Sequence, residues 1–372
     1  MALSEFVRAV PAEGRAAGPA RPASLLALDD PRWCAFVRSH PQALIFHQPE
    51  WGQAVSSSYG WRAFVLAQLG NEGAIDAGIP VISLRDLRRR ERWVSLPFSD
   101  LCPPLLSDSI SASEFAGSLE QARLDAGVVS FEVRGALAGF QHRQHRQAVL
   151  HTTALSRDAD ELFARFHRSQ VQRNIRRAER EQMHVRELAG RRDFVDVFYG
   201  LHARTRRRQG MPVQPRRFFV SLWEHLLAGE MGERQGRLVL VDLPGRPAIA
   251  GALLLAGSRT LTYKYGASDP AFWGLRPNHL LFAYALRSAC EAGFEQFDWG
   301  RSDLEDRGLR DFKSGWAASE TDLVHTTLSA EERPAAAGGE EGAAMHTARA
   351  LLRHSPVFAC RAAGELFYRF AA

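Results

Sequence analysis

Lysine is almost missing from this sequence. Among 47 basic side chains only Lys264 and Lys313 are lysine, and the other 45 are arginine. A GC-rich genome favours arginine codons and explains such an excess without any function. Clustered arginine also meets phosphate, because the planar guanidinium fork binds phosphate oxygens two at a time. Cysteine is equally sparse. Cys34, Cys102, Cys290 and Cys360 have neither the close pairing of a zinc site nor the density of a secreted disulfide scaffold, which excludes both and suits a reducing cytoplasm. No stretch approaches the roughly 20 apolar residues of a bilayer-spanning helix, and the first 24 residues lack the apolar core of a signal peptide. The expectation is a cytoplasmic protein that lies at most on the inner face of the cytoplasmic membrane. His142, His145 and His151 have no cysteine or carboxylate partners at ligand spacing, so no metal is expected.

What is present is globular material: 372 residues, 45% apolar and 24% charged, with a formal charge of +5, enough for two domains. Residues 1–24 are rich in Ala, Gly, Pro and Arg without periodicity and are expected to be disordered. "ALIFHQPEWGQAVSSSYGW" reads as a short strand and then a helix with Trp51 and Val55 on its apolar face. Alternating runs about Asn71-Glu72-Gly73 signal a hairpin. A strand about "WVSLPF", a helix over 112–126 and a strand "VVSFEVRG" complete one unit. Three amphipathic helices follow: "DADELFARFHRSQVQRNIRRAEREQ", "DFVDVFYGLHARTRRRQG" and "PRRFFVSLWEHLLAGE". Then come a hairpin about Pro244-Gly245, a strand "RTLTYKYGAS", a helix "HLLFAYALRSACEAG" stopped by Gly293, and a strand "FEQFDWG". Strand, hairpin, strand, helix, strand thus occurs twice without a literal repeat. The fold class is α/β with mixed (α+β) sheets, in domains at 25–155 and 156–329. A linker at 330–344 leads to a basic amphipathic tail, 345–372, which Pro356 breaks into two helical segments.

Five segments in order, "SLPFSDLCPPL", "SQVQRNIRRAER", "HARTRRRQGMPVQP", "YKYGASDPAFWGLRPNHLL" and "FDWGRSDLEDRGLRDFKSGW", resemble the FemAB/FemX-type family of the GNAT acyltransferase superfamily, a group that includes BioF-like acetyltransferase domains. The resemblance implies tandem GNAT-like domains, the second catalytic, that pass an acyl or aminoacyl group to an amine. It implies no bound cofactor, a donor that is aminoacyl-tRNA or acyl-CoA, and an acceptor amine on an envelope or glycan precursor. In that family the pair matching Phe312-Lys313 lies at the acyl-transfer centre, and Arg173 and Asn174 fall on a family motif. The sequence departs from the acyl-CoA loop Arg/Gln-x-x-Gly-x-Gly/Ala: Arg276-Pro277-Asn278-His279 has no glycine, which counts against ordinary CoA binding.

The residues themselves support the same chemistry. Amide formation needs a proton acceptor, donors aimed at the oxyanion and oriented reactants. Lys313 and Asp298 are the catalytic candidates, with Tyr265 on the strand along which, as the resemblance implies, the donor would lie. Arg173, Asn174, Arg177, Arg207, Tyr263, Lys264, Asn278, Arg301 and Phe312 are the substrate-binding candidates. Bland readings stand beside these: an Asp298–Arg301 ion pair, a Lys264 turned to solvent, and arginines on a solvated helix face. The favoured reading is an acyl- or aminoacyltransferase acting on a cell-envelope or polysaccharide-linked amine. One alternative is an acyl-CoA-dependent N-acetyltransferase for an amino sugar or small metabolite, and another a noncatalytic binding protein for nucleotide-linked glycans. No nucleic-acid module is recognisable, so DNA is not an expected partner, while tRNA remains as a donor. The tail would either pack on the body or lie on a membrane surface.

Overall fold

The computed structural model describes residues 22–86, 88–230, 234–330 and 340–370. The first half runs β1 (Ser24–Leu26), α1 (Pro31–Ser39), α2 (Pro49–Tyr59), β2 (Arg62–Leu69), β3 (Ile75–Arg85), β4 (Glu91–Val94), β5 (Leu105–Leu106), α3 (Ala112–Asp125), β6 (Ser130–Val133) and β7 (Gln144–Ala154). The second runs α4 (Ala159–Ala164), α5 (Arg173–Ala178), β8 (His184–Glu187), α6 (Tyr199–Arg208), α7 (Arg216–Leu222), β9 (Gly236–Leu243), β10 (Arg246–Ala256) and β11 (Thr260–Ser268). It closes with α8 (Pro277–Glu291), β12 (Gln296–Ser302), α9 (Arg307–Ser314), β13 (Ser319–Ser329), α10 (Glu340–His354) and α11 (Val357–Phe370).

The strands join one mixed sheet in the order β1-β2-β3-β4-β6-β13-β7-β12-β11-β10-β9-β8, with β5 beside β3. Each half contributes a hairpin, a third strand and a helix that crosses to a parallel fourth strand. In the first half α3 links the parallel pair β4 and β6, and in the second α8 links β11 and β12. A crossover helix is what a parallel pair requires. The duplicated element order is therefore a duplicated architecture. The last strands are exchanged: β7, from the first half, pairs with β12, and β13, from the second, pairs with β6.

The halves also share a core. Phe46, Trp51 and Val55 pack in one cluster with Phe194, Phe198, Phe218 and Phe219, so the helix predicted to bury Trp51 and Val55 does so against the other half. A second core lies under α8, between the sheet and α4–α5, and includes Phe282, Phe297, Trp299 and Trp316.

Several local expectations change. Residues Ile45–His47 form a tight helical turn rather than a strand, because the His47 ring accepts the Leu44 N–H at 2.9 Å and pairs with the Pro103 carbonyl at 2.8 Å. The helix expected from Asp158 is broken between α4 and α5. There the His167 N–H turns away to the Gly315 carbonyl at 2.9 Å, and the Gln172 amide donates to the Phe166 carbonyl at 2.8 Å. The polar stretch that follows β12 and leads to Phe312 is helix α9, started by an Asp306 side chain that accepts the Leu309 N–H at 3.0 Å.

Of the segment expected to be disordered, residues 1–21 lie outside the described residues, and Ser24 already belongs to β1. Residues 331–339 of the expected linker also lie outside them, and α10 begins at Glu340, within that segment. Helices α10 and α11 flank Pro356 and pack on α6. Cys360 O accepts the Val213 N–H, and the Tyr368 hydroxyl accepts from Arg206 and donates to the Pro212 carbonyl. A Cβ at Gly364 would run into the Val213 carbonyl, so glycine permits this approach. Among the described residues no helix is long and apolar enough to cross a membrane.

Candidate active site

Strands β11 and β12 pair only over Thr260–Thr262 and Gln296–Asp298. Beyond that short ladder, bulges interrupt both: β11 shifts register against β10 at Leu253/Leu254, and β12 against β7 at Asp298/Gly300. Bulges re-aim side chains and end pairing. A cleft of about 380 Å³ opens there, lined by Tyr263 and Ser268 of β11, Trp299 of β12, Asn278 of α8, and Phe312 and Lys313 of α9.

Lys313 lies at the inner end of this cleft and is only 3% exposed. Its Nζ donates to the Gly300 and Arg301 carbonyls, each at 2.8 Å. An ammonium has three N–H donors, so one remains. Gly300 has φ +70°, and a Cβ there would lie 3.0 Å from Asp100 Oδ2; the bulge that presents both carbonyls needs glycine. The Gly300 N–H donates to Asp298 Oδ1 at 2.7 Å and the Arg301 N–H to Asp100 Oδ2 at 3.2 Å. One backbone turn thus orients two carboxylates and one ammonium.

Lys264, the other lysine, joins the same cluster. Its Nζ lies 5.3–5.4 Å from the ring centres of Phe46, Trp51 and Tyr265, a cation–π environment, and its charge acts on Asp100 and Asp298. Both lysines of the chain therefore converge on one pair of acids. Burial pushes the Asp298 carboxyl up to about 6, opposed by the Gly300 N–H and reinforced by Asp100. Burial lowers Lys313 to about 8, against the pull of Asp298 and Asp100, and burial likewise lowers Lys264. Burial pushes Asp100 upward, but the Lys264 charge and the Arg301 N–H outweigh it and hold its carboxyl below the usual range. Two carboxyls displaced in opposite directions beside a depressed lysine are what acid–base chemistry near neutral pH requires.

A second, polar cavity of about 180 Å³ adjoins Asp100 and is lined also by Glu132, Arg134, Arg301 and His325. The His325 ring pairs with the Asp100 carbonyl at 2.9 Å. Arg134 Nε is buried without a hydrogen bond and lies 3.4 Å from Glu132. The two cavities are connected by backbone: Arg301 O accepts from Lys313 in the first, and Arg301 N donates to Asp100 in the second.

The remaining candidates distribute unevenly. Tyr263 lines the cleft, its hydroxyl pushed up to about 12 by burial. Asn278 reaches Ser268 Oγ at 3.5 Å, and Phe312 lies against His279, with ring centres 5.8 Å apart. Arg301 pairs with Asp303 at 2.6 Å, not with Asp298. The Tyr265 hydroxyl accepts from Gln214 at 2.9 Å and lines neither cavity. Arg173 and Arg177 are exposed on α5, where Asn174 back-bonds to the Gln170 carbonyl at 2.6 Å.

Arg207 is exposed, and its neighbour Arg208 enters the cleft, stacking 4.8 Å over Trp273 and donating to the Ser268 carbonyl at 3.1 Å. Sequence reasoning chose Arg207 rather than Arg208 from the "RTRRRQG" cluster and missed Trp273, Arg134 and Asp100. Asp100 carried a signal, because it ends the "SLPFSD" segment that follows β4.

Residues 165–314 match the family model for the acetyltransferase (GNAT) domain, a span that runs from the end of α4 through Lys313. Among solved structures, FemX superposes with a TM-score of 0.66 at 16% identity, over 82% of this chain and 97% of its own. The C-terminal domain of a putative lysylphosphatidylglycerol synthetase from Agrobacterium fabrum gives 0.53 at 13% identity, over 87% and 96%. L-PGS from Bacillus licheniformis gives 0.53 at 13% identity, over 89% and 99%. No curated protein matches the chain by sequence. At these identities the solved structures share the fold, while the domain match covers the half in which the splayed strands, α8 and Lys313 stand. Residues 165–314 therefore carry an acetyltransferase (GNAT) domain, and the chain as a whole shares its fold with FemX.

Proposed function

We propose that this acyltransferase moves an acyl or aminoacyl group from a phosphate-bearing carrier in the β11–β12 cleft to an amine held at the second cavity, on an envelope or polysaccharide-linked precursor. The observation that carries this reading is the cluster of Lys313, Asp298 and Asp100 between two cavities. In a ternary complex the acceptor nitrogen attacks the carbonyl carbon of the carrier's ester or thioester. Its proton passes to Asp298, whose raised pKa makes it a stronger base than an exposed carboxylate. The third Lys313 N–H meets the developing oxyanion. The C–O or C–S bond then breaks as protonated Asp298 returns that proton to the leaving oxygen or sulfur, so that an amide remains and the carrier leaves as an alcohol or thiol. A compact ammonium fits between two carbonyls where a planar guanidinium does not, which explains a lysine in an arginine-rich chain.

The second cavity suits an amine that carries an acidic group nearby. Asp100 and Glu132 face an ammonium, while Arg134 and Arg301 match phosphate or carboxylate. Nucleotide- and lipid-linked precursors have that combination. For the donor, the start of α8 is poor in free N–H groups: Pro277 has none and the His279 N–H goes to the Arg276 carbonyl at 3.0 Å, leaving Asn278. A pyrophosphate cradle of the acyl-CoA kind relies on several. This favours aminoacyl-tRNA as donor, and the fold relatives named for lysylphosphatidylglycerol, an aminoacylated lipid, agree with it. A second reading, acetyl-CoA-dependent N-acetylation of an amino sugar or small metabolite, is favoured by the GNAT domain match itself.

Calorimetric titration of acetyl-CoA and of an aminoacylated tRNA pool, each at two salt concentrations, separates these readings. The expected result is tRNA binding that weakens steeply with salt, flattened by Arg173→Ala with Arg177→Ala, and weak acetyl-CoA binding. Tight stoichiometric acetyl-CoA binding without tRNA affinity would install the second reading. Binding of neither ligand would favour a noncatalytic glycan-binding protein.

A further inference from the structure

The tail presents two faces. On α11 the buried residues Cys360, Gly364 and Tyr368 recur every four positions, one side of a helix, and meet α6 and the segment after it. The opposite side holds Phe358, 73% exposed, and Leu366, 68% exposed; Leu351 on α10 is 66% exposed and Phe367 43%. These include the three most exposed large apolar side chains of the described chain. Isolated exposed leucines need no explanation, but a concentration on one helical pair does.

Charge indicates what covers this face. Arg349 and Arg353 are exposed on α10, and no acidic side chain is paired with either among the described residues. The one acid whose side chain is described in the tail, Glu365, is neutralised by Arg217. On α10 the unpaired Arg349 and Arg353 lie one turn apart on one side and Leu351 on the other, and such apolar and cationic sides on one helical pair match an anionic lipid interface, where rings and leucines enter the acyl boundary and guanidinium groups meet headgroup phosphate. We propose that the outward face of α10–α11 docks this protein on an anionic membrane surface through Leu351, Phe358 and Leu366, with Arg349 and Arg353 providing the charge selectivity. The inference stands apart from the transfer reaction, since none of these residues lines either cavity.

Co-sedimentation with phosphatidylcholine vesicles, with and without about a third of phosphatidylglycerol, tests it on the full chain. The wild type should pellet with the anionic vesicles and remain largely in solution with the neutral ones. The triple variant Leu351→Ser, Phe358→Ser, Leu366→Ser should bind anionic vesicles at least about tenfold more weakly, and Arg349→Gln with Arg353→Gln roughly tenfold or more. All five side chains are exposed, so the fold is expected to persist, which circular dichroism and unchanged acetyl-CoA or tRNA titration would verify. Equal pelleting of wild type and triple variant overturns the proposal. So does the absence of wild-type binding, or concentration-dependent dimerisation that the triple variant abolishes without any vesicle affinity, which would assign the face to a second copy of the chain.

Discussion

At the residue scale the proposed transfer turns on Lys313, whose ammonium is held by two backbone carbonyls at 2.8 Å. Lys313→Met should lower turnover by roughly a hundredfold or more, about 3 kcal/mol of transition-state stabilisation, with little loss of fold because the methionine is apolar and of similar length. Lys313→Arg should fail as well, because its planar group cannot occupy the ammonium position. Single-turnover kinetics beside a thermal melt checks both, and full activity in either variant removes Lys313 from the chemistry.

The pH profile follows from the same pair. Asp298 acts as base only when ionised, so kcat/KM should rise through about 6. Lys313 acts only when protonated, so it should fall through about 8. Asp298→Asn should remove the lower limb from whatever activity survives, and Lys313→Met the upper one. Arg208, stacked on Trp273 in the cleft, would bind the donor under the proposed function: Arg208→Ala should raise the donor KM by about tenfold with kcat changed far less.

At the element scale the site depends on one bulge. Gly300, at φ +70°, turns its own carbonyl and that of Arg301 toward α9 and its N–H toward Asp298. A left-handed alanine costs about 1–2 kcal/mol, and its Cβ would crowd Asp100 Oδ2. Gly300→Ala should therefore lower turnover at least tenfold while the melting temperature falls by only a few degrees. A variant that melts early yet turns over normally would show that the bulge supports stability alone. The helix that brings Lys313 to this bulge was hidden in the sequence. "DLEDRGLRDFK" is polar and its helix has only eight residues, so that Leu309 and Phe312 carry its whole apolar stripe, and what fixes it is the Asp306 cap and the packing of Phe312 and Trp316 under α8. By contrast α8 and the Pro244–Gly245 hairpin were legible, because both end on glycines with φ near +80° and +72° that punctuate long apolar runs.

At the scale of the whole molecule, exchange of β7 and β13 and the shared core of Trp51 with Phe218 bind the halves together. Calorimetry should record one cooperative unfolding transition. Two separate transitions, or a stable soluble fragment ending near residue 155, would contradict this coupling, since such a fragment would lack β13 and expose the edges of β6 and β7.

The sequence by itself determined the duplicated order of elements, the helix and hairpin limits marked by Gly and Pro, the superfamily resemblance and the placing of one of only two lysines after Phe312. Those are local or periodic properties, and each residue carries its own share of them. Tertiary structure decided the rest. That Lys264 and Asp100, distant in the chain, face Lys313 and Asp298 follows from the bulge and from the packing of Phe46 and Trp51 against β11, contacts that no spacing encodes. That Arg208 rather than Arg207 enters the cleft depends on a rotation of about 100° along α6 relative to a Trp273 supplied 65 positions later. Burial then set the proton affinities of Asp298 and Lys313, because desolvation belongs to the assembled site and to no residue alone.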